Sequence, residues 1–120
     1  MHSELVSEEV LQQMLKDMGP EILPMLIDNY LEESNTRLAA IYQAMDEGDY
    51  KTLEFESHTL GSTALALGNI PLGQLARKIE GLCLQNQAQA TIELKQELLD
   101  IAQPSLTAIQ QRLTQGFTSL

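Results

Sequence analysis

Between Ile22 and Met45 the apolar residues return every three or four positions, with Ile22, Leu23, Leu26, Ile27, Tyr30, Leu31, Ser34, Leu38, Ile41 and Met45 falling on one face. That period belongs to an α-helix and not to a strand. A helix this long needs other helices to cover its stripe, and the rest of the chain repeats the same spacing. Only 2 Phe, 3 Tyr and no Trp are available, so Leu, Ile, Ala and Met must fill the core, which suits helix-on-helix packing better than a β-sandwich. At 120 residues the chain holds one domain with one modest core. An all-α protein is therefore expected.

Local punctuation divides the chain into helices. Ser7 fits an N-cap, Glu8 and Glu9 stand in the first turn where the helix dipole favours acid, and Val6 can staple onto Leu11. This first helix, about 7–18, closes at Gly19-Pro20. The long helix occupies about 21–46, with Pro20 at its start and Pro24 within its opening turn or just after it. Gly48 is its expected left-handed terminator, and Asp49 caps the next helix, about 50–67. Gly68-Asn69 stops that one and Pro71 opens a fourth, about 71–85, with Leu72, Leu75, Ile79, Leu82 and Cys83 inward. So short a connection makes the third and fourth helices an antiparallel hairpin. After a polar loop at Asn86–Ala90, Thr91 is expected to cap a last helix, about 91–115, that kinks or divides near Asp100 because of Pro104.

With 17 acidic against 7 basic residues the net charge is −10, which argues against nucleic acid and against an anionic membrane surface, both of which demand Lys and Arg. The single cysteine excludes an internal disulfide, and with 2 histidines it argues against structural zinc. Cys83 lies in an apolar run with Ile79, Leu82 and Leu84, the setting of a reduced core thiol. The opening residues lack the basic-then-apolar pattern of a signal peptide, and no apolar stretch is long enough to span a bilayer. The expected compartment is the cytoplasm.

His58 is the residue this scaffold leaves unexplained. Leu53, Ser57, Leu60, Ala64 and Leu67 form the buried stripe of the third helix, and His58 projects roughly 140° away from it. Lys51, Glu54, Phe55, Gly61, Ser62, Leu65 and Ala66 share its outer face. Phe55 and Leu65 are apolar there, and Gly61 and Ser62, one turn on, are small. His2, near the terminus, is read as inert. An ordinary surface histidine is the plain alternative for His58; access, cleared space and apolar docking area weigh against it. No Ser or Cys nucleophile with a base and an orienting acid is evident, as a hydrolase would require. What a lone neutral imidazole does unaided is attack an already activated group. Phosphoryl transfer meets that demand.

The segment His58-Thr-Leu-Gly-Ser-Thr-Ala-Leu-Ala-Leu-Gly68, followed by Leu72, Leu75, Ile79 and Glu80, resembles the histidine-containing phosphotransfer (HPt) domain. That family's pattern is His-x-Leu-Lys-Gly-Ser/Ala-x-x-x-Leu-Gly, then spaced leucines ending in Leu-Glu. The likeness extends over almost the whole chain, including the Gly-Asp pair ahead of the histidine helix. It implies an antiparallel four-helix up-down bundle with an additional short N-terminal helix. It also implies that His58 accepts a phosphoryl group on Nε2 from the receiver domain of a hybrid sensor histidine kinase and passes it to the receiver domain of a response regulator. Glu80 matches the polar position whose side chain reaches the imidazole. No cofactor is implied in this chain, since Mg²⁺ belongs to the receiver.

Two positions depart from the pattern. The usual lysine is Gly61 and the usual glycine is Ser62, so the phosphoryl group is either held less tightly or held by another cation. Ser62 is small enough to admit it and offers a hydroxyl to it. Arg77, one turn before Glu80, is the first candidate for the replacement cation, with a solvated surface arginine as the alternative. Phe55 and Leu65, with Ala66, are the expected docking surface. Lys51 meets either solvent or an acidic patch on the receiver. The rival reading is a non-catalytic helical adaptor that binds receiver or kinase domains without being phosphorylated. A free-standing monomer is expected, because the chain opens at Met1 and carries one bundle.

Overall fold

A computed structural model describes residues 5–117; His2 lies outside them. Among the described residues the regular structure is all helical: α1 (Glu8–Met18), α2 (Ile22–Glu47), α3 (Tyr50–Ala66), α4 (Ile70–Leu84), a 3₁₀ stretch (Ala88–Leu94) and α5 (Lys95–Thr114). None of these helices is long and apolar enough to cross a membrane.

The starts and stops follow from single side chains. Ser7 Oγ accepts from Val10 N–H at 3.2 Å and opens α1. Pro24 falls in the first turn of α2, where its missing N–H breaks no helical bond. At 26 residues α2 runs about 39 Å, most of the 46 Å long dimension of the molecule. Gly48 ends it at φ 70°, a conformation that costs a residue with a Cβ. Asp49 Oδ1 then accepts from Thr52 N–H and opens α3.

Contacts between neighbouring helices pair rising numbers with falling ones. Asn35 meets Gln103 and Asp46 meets Lys95 between α2 and α5. His58 meets Glu80 and Ser62 meets Arg77 between α3 and α4. The core between these helices holds Leu23, Ile27, Leu38, Ile41, Leu53, Leu60, Leu72, Ile79, Leu98 and Ile109, all fully buried or nearly so. Leu11 and Leu15 of α1 join it at one end.

Several boundary expectations need correction. Ile22 is 48% exposed, outside the stripe assigned to it, and Leu82 is only half-buried. Thr91 caps nothing: its hydroxyl turns back to Ala88 C=O at 2.6 Å inside the 3₁₀ stretch, which starts within the expected polar loop. The last α-helix therefore begins at Lys95, and it runs unbroken through Pro104 instead of dividing near Asp100. Asp100 and Pro104 both face solvent, so water can serve the carbonyl that a proline four residues on leaves without a donor.

Candidate functional site

The buried stripe of α3 decides what its opposite face can present. Leu53, Ser57, Leu60 and Ala64 are fully buried, and Ser57 satisfies its hydroxyl on Leu53 C=O at 2.6 Å, which lets a polar residue sit in the stripe. With that side fixed, His58 emerges toward solvent with 53% of its side chain exposed.

Among the described residues its side-chain partner is Glu80 of α4, whose Oε2 lies 2.7 Å from His58 Nδ1. Glu80 itself is only 15% exposed. A carboxylate at this distance accepts a hydrogen bond, so the ring proton belongs on Nδ1 and the Nε2 lone pair is left free. Arg77 stands one turn back on α4. Its Nη2 donates to Ser62 Oγ at 3.0 Å, and its Nη1 lies 3.7 Å from the other Glu80 oxygen, Oε1. Ser62, Arg77, Glu80 and His58 thus form one chain of polar groups across the α3/α4 seam. Beside it is an open depression of about 420 Å³ lined by Lys51, Glu54, Phe55, His58 and Glu80, and Phe55 is 61% exposed at its edge.

The remaining sequence candidates do not gather there. Gly61 is buried, not cleared space: the stem of Arg77 lies across it. Leu65 is half-buried, seated over Gly73, where a Cβ would come within 2.6 Å of Leu65 Cγ. Ala66 is exposed but looks the other way, into a groove of about 340 Å³ shared with Met14, Leu26, Tyr30 and Thr63. The sequence reading places Leu84 only in the apolar run around Cys83 and not at the His58 site, yet it is 62% exposed. Since residue 58 stands opposite 80 and 62 opposite 77, the same register carries Leu84 to the turn of Glu54 and Phe55. Its position four residues after Glu80 was the available signal.

Cys83 packs against the core from its edge. Burial, and then the nearby carboxylates of Glu54 and Glu80, push its thiol upward and keep it protonated. A nucleophilic role does not fit that setting.

What the arrangement can do chemically is present one unencumbered imidazole nitrogen to a large partner, with a carboxylate behind the ring and a guanidinium beside it. A family model described as the Hpt domain matches residues 25–115. No curated protein matches the chain in sequence. Among solved structures, the crystal structure of histidine-containing phosphotransfer protein B from Pseudomonas aeruginosa PAO1 is similar, with a TM-score of 0.79 at 20% identity over 92% of this chain and 96% of that one. At that identity the likeness speaks for the fold.

Proposed function

The chain belongs to the Hpt domain family, the histidine phosphotransfer proteins of phosphorelays, and from that premise we propose that His58 is its phospho-acceptor. The observation that carries the assignment is the 2.7 Å contact between His58 Nδ1 and Glu80 on a ring that is otherwise half open to solvent.

In the forward step the Nε2 lone pair attacks the phosphorus of a receiver aspartyl phosphate. The N–P bond forms as the P–O bond to the aspartate breaks, and that electron pair returns to the aspartate carboxylate. His58 keeps its Nδ1 proton throughout. The ring becomes positive, and Glu80 stabilises it through the hydrogen bond it already accepts. Arg77 and Ser62 are the groups proposed to meet the phosphoryl oxygens. The second receiver reverses the step, since aspartyl phosphate and phosphohistidine are both activated donors. Mg²⁺ is proposed to arrive with the receiver, and positioning with electrostatics supplies most of the acceleration.

The fold proposed for this work is the antiparallel four-helix up-down bundle with a short additional N-terminal helix, an arrangement supported by the opposed registers along α2, α3, α4 and α5. The receiver domain of a hybrid sensor histidine kinase and that of a response regulator would use one face in turn, the depression of Lys51, Glu54 and Phe55 with Leu84 added beside it. Gly61, Leu65 and Ala66 drop out of that surface. We place the relay in the cytoplasm as a monomer.

Incubation with a phosphorylated receiver tests the assignment. The expected product carries an acid-labile, alkali-stable phosphate that His58→Gln abolishes. Binding of the receiver without any such phosphate would make the protein an adaptor.

A further inference from the structure

Gly61 is buried although it lies on α3 between His58 and Leu65, and what buries it comes from the neighbouring helix. A Cβ at position 61 would stand 3.0 Å from Arg77 Nε, 3.1 Å from Cδ and 3.2 Å from Cγ. Those separations are tighter than ordinary carbon contacts, so the bare backbone is what lets the arginine stem lie flat against α3. Lying flat, the stem carries Nη2 to Ser62 Oγ at 3.0 Å and leaves Nη1 at 3.7 Å from Glu80, beyond hydrogen-bond length. Guanidinium has five N–H donors, and Ser62 engages only part of that set.

We propose that Gly61 is a positioning residue, the seat that holds the Arg77 guanidinium ready for phosphoryl oxygens on His58, so that the cation of this site comes from α4 and position 61 must stay bare. The inference rests on the reading of His58 as phospho-acceptor. An arginine stem waving in solvent loses most of its rotamer freedom when it grips an anion; packed over Gly61, the Arg77 stem has given up part of that freedom beforehand. The loose approach to Glu80 matters too, because a phosphoryl oxygen can take over Nη1 without breaking a hydrogen bond. A lysine at position 61 would then not add a second cation. Its stem needs the volume that the Arg77 stem fills, so it would exchange one cation for the other.

The test uses phosphoramidate, a small anionic donor that needs no partner protein: the Nε2–P bond forms as the donor's P–N bond breaks and ammonia leaves. Initial labelling rate and phosphohistidine half-life are measured for wild type, Arg77→Ala, Gly61→Leu and the double variant, with thermal melts alongside. Arg77→Ala should slow labelling about fivefold, the scale of one exposed charge-assisted hydrogen bond. Gly61→Leu should slow it by a similar factor while the melting temperature holds or rises, because a helix-interior glycine has been replaced by a better helix former. In the Arg77→Ala background the same Leu should change the rate hardly at all. Gly61→Ala, a milder intrusion, should fall between wild type and Leu. A Gly61→Leu protein that labels at the wild-type rate, or an effect that multiplies in full with that of Arg77→Ala, overturns the seat. A wild type that acquires no label on His58 instead defeats the assignment of the acceptor, and the seat falls with it; labelling that responds to His58 but not to Gly61 defeats the seat alone.

Discussion

Asn69 is fully buried, and its side chain joins three separate parts of the chain. Its Oδ1 accepts from Tyr30 Oη at 2.8 Å, while Nδ2 donates to Leu5 C=O at 2.9 Å and to Ser105 C=O at 3.1 Å. Burial pushes the Tyr30 phenol far upward, so it stays a neutral donor and the network does not titrate. Removing the amide takes the partner from the buried Tyr30 hydroxyl and from the Leu5 carbonyl at once, and each stranded group costs on the order of 1–3 kcal/mol. Asn69→Ala should therefore lose about 3 kcal/mol of unfolding free energy in urea, and Tyr30→Phe about 1 kcal/mol, because it removes one bond and leaves one acceptor. A loss in Asn69→Ala no larger than in Tyr30→Phe would mean that water replaces the amide. From the sequence Asn69 is only a helix stop. Its partners lie 39, 64 and 36 residues away, and no local pattern reports such distances. His58 was legible because its exposure follows from the angle to its own helix's stripe. The correct fate of Gly61 was not, since the group that covers it belongs to another helix.

Between elements, α3 and α4 make the closest pairing, and two glycines of α4 show why. At Gly73 an added Cβ would lie 2.6 Å from Leu65 Cγ, 2.7 Å from Leu65 Cδ2 and 3.1 Å from Leu65 backbone N. The first two can turn away, but the backbone of α3 cannot. At Gly81, the residue after Glu80, nothing lies within 4 Å. Two chemically identical substitutions on one helix should thus move stability in opposite directions. Gly81→Ala should gain about 0.5–1 kcal/mol from helix propensity. Gly73→Ala receives the same gain but must part α3 from α4, and overpacking of this kind costs about 1–3 kcal/mol, so it should be net destabilising. Chemical denaturation of the two variants reads the contrast directly, and equal stabilities would show that the seam opens freely. Helix ends were largely readable from sequence because caps act within a turn: Ser7, Gly48 and Asp49 each do the local work expected of them. The start of the last helix was not. The Thr91 hydroxyl has a choice between capping forward and bonding back to Ala88, and the burial of Ala88 and Thr91 within the 3₁₀ stretch settles that choice.

At the scale of the whole molecule, α1 is joined to the far end of the chain. The family match begins at residue 25, after α1 has ended, so what holds this helix is specific to its own contacts. Leu11 and Leu15 bury its apolar side, and Ser7 N–H donates to Gly68 C=O at 2.8 Å. Its charged end is held by α5. Arg112 Nε and Nη2 donate to Glu8 Oε1 and Oε2 at 2.7 and 2.8 Å, and the same guanidinium lies 4.4 Å over the Phe117 ring. The hydrogen bond to Arg112 is the largest cause holding the Glu8 carboxyl below its usual value. A carboxyl whose folded value is lowered adds stability that is fully present above its unfolded value and is lost as pH falls through the folded one. Glu8 is 53% exposed, so solvent screening keeps its contribution under about 1 kcal/mol despite the two-pronged geometry. Glu8→Gln should therefore lower stability slightly at neutral pH, and the gap from wild type should close as acid protonates the carboxyl in both states. Added salt should narrow the gap at neutral pH as well, because the pair is exposed. Denaturation curves for both proteins across the acidic range, at low and high salt, read this difference. A gap that stays constant with pH would assign the loss to the Gln side chain and not to the ion pair that joins α1 to α5.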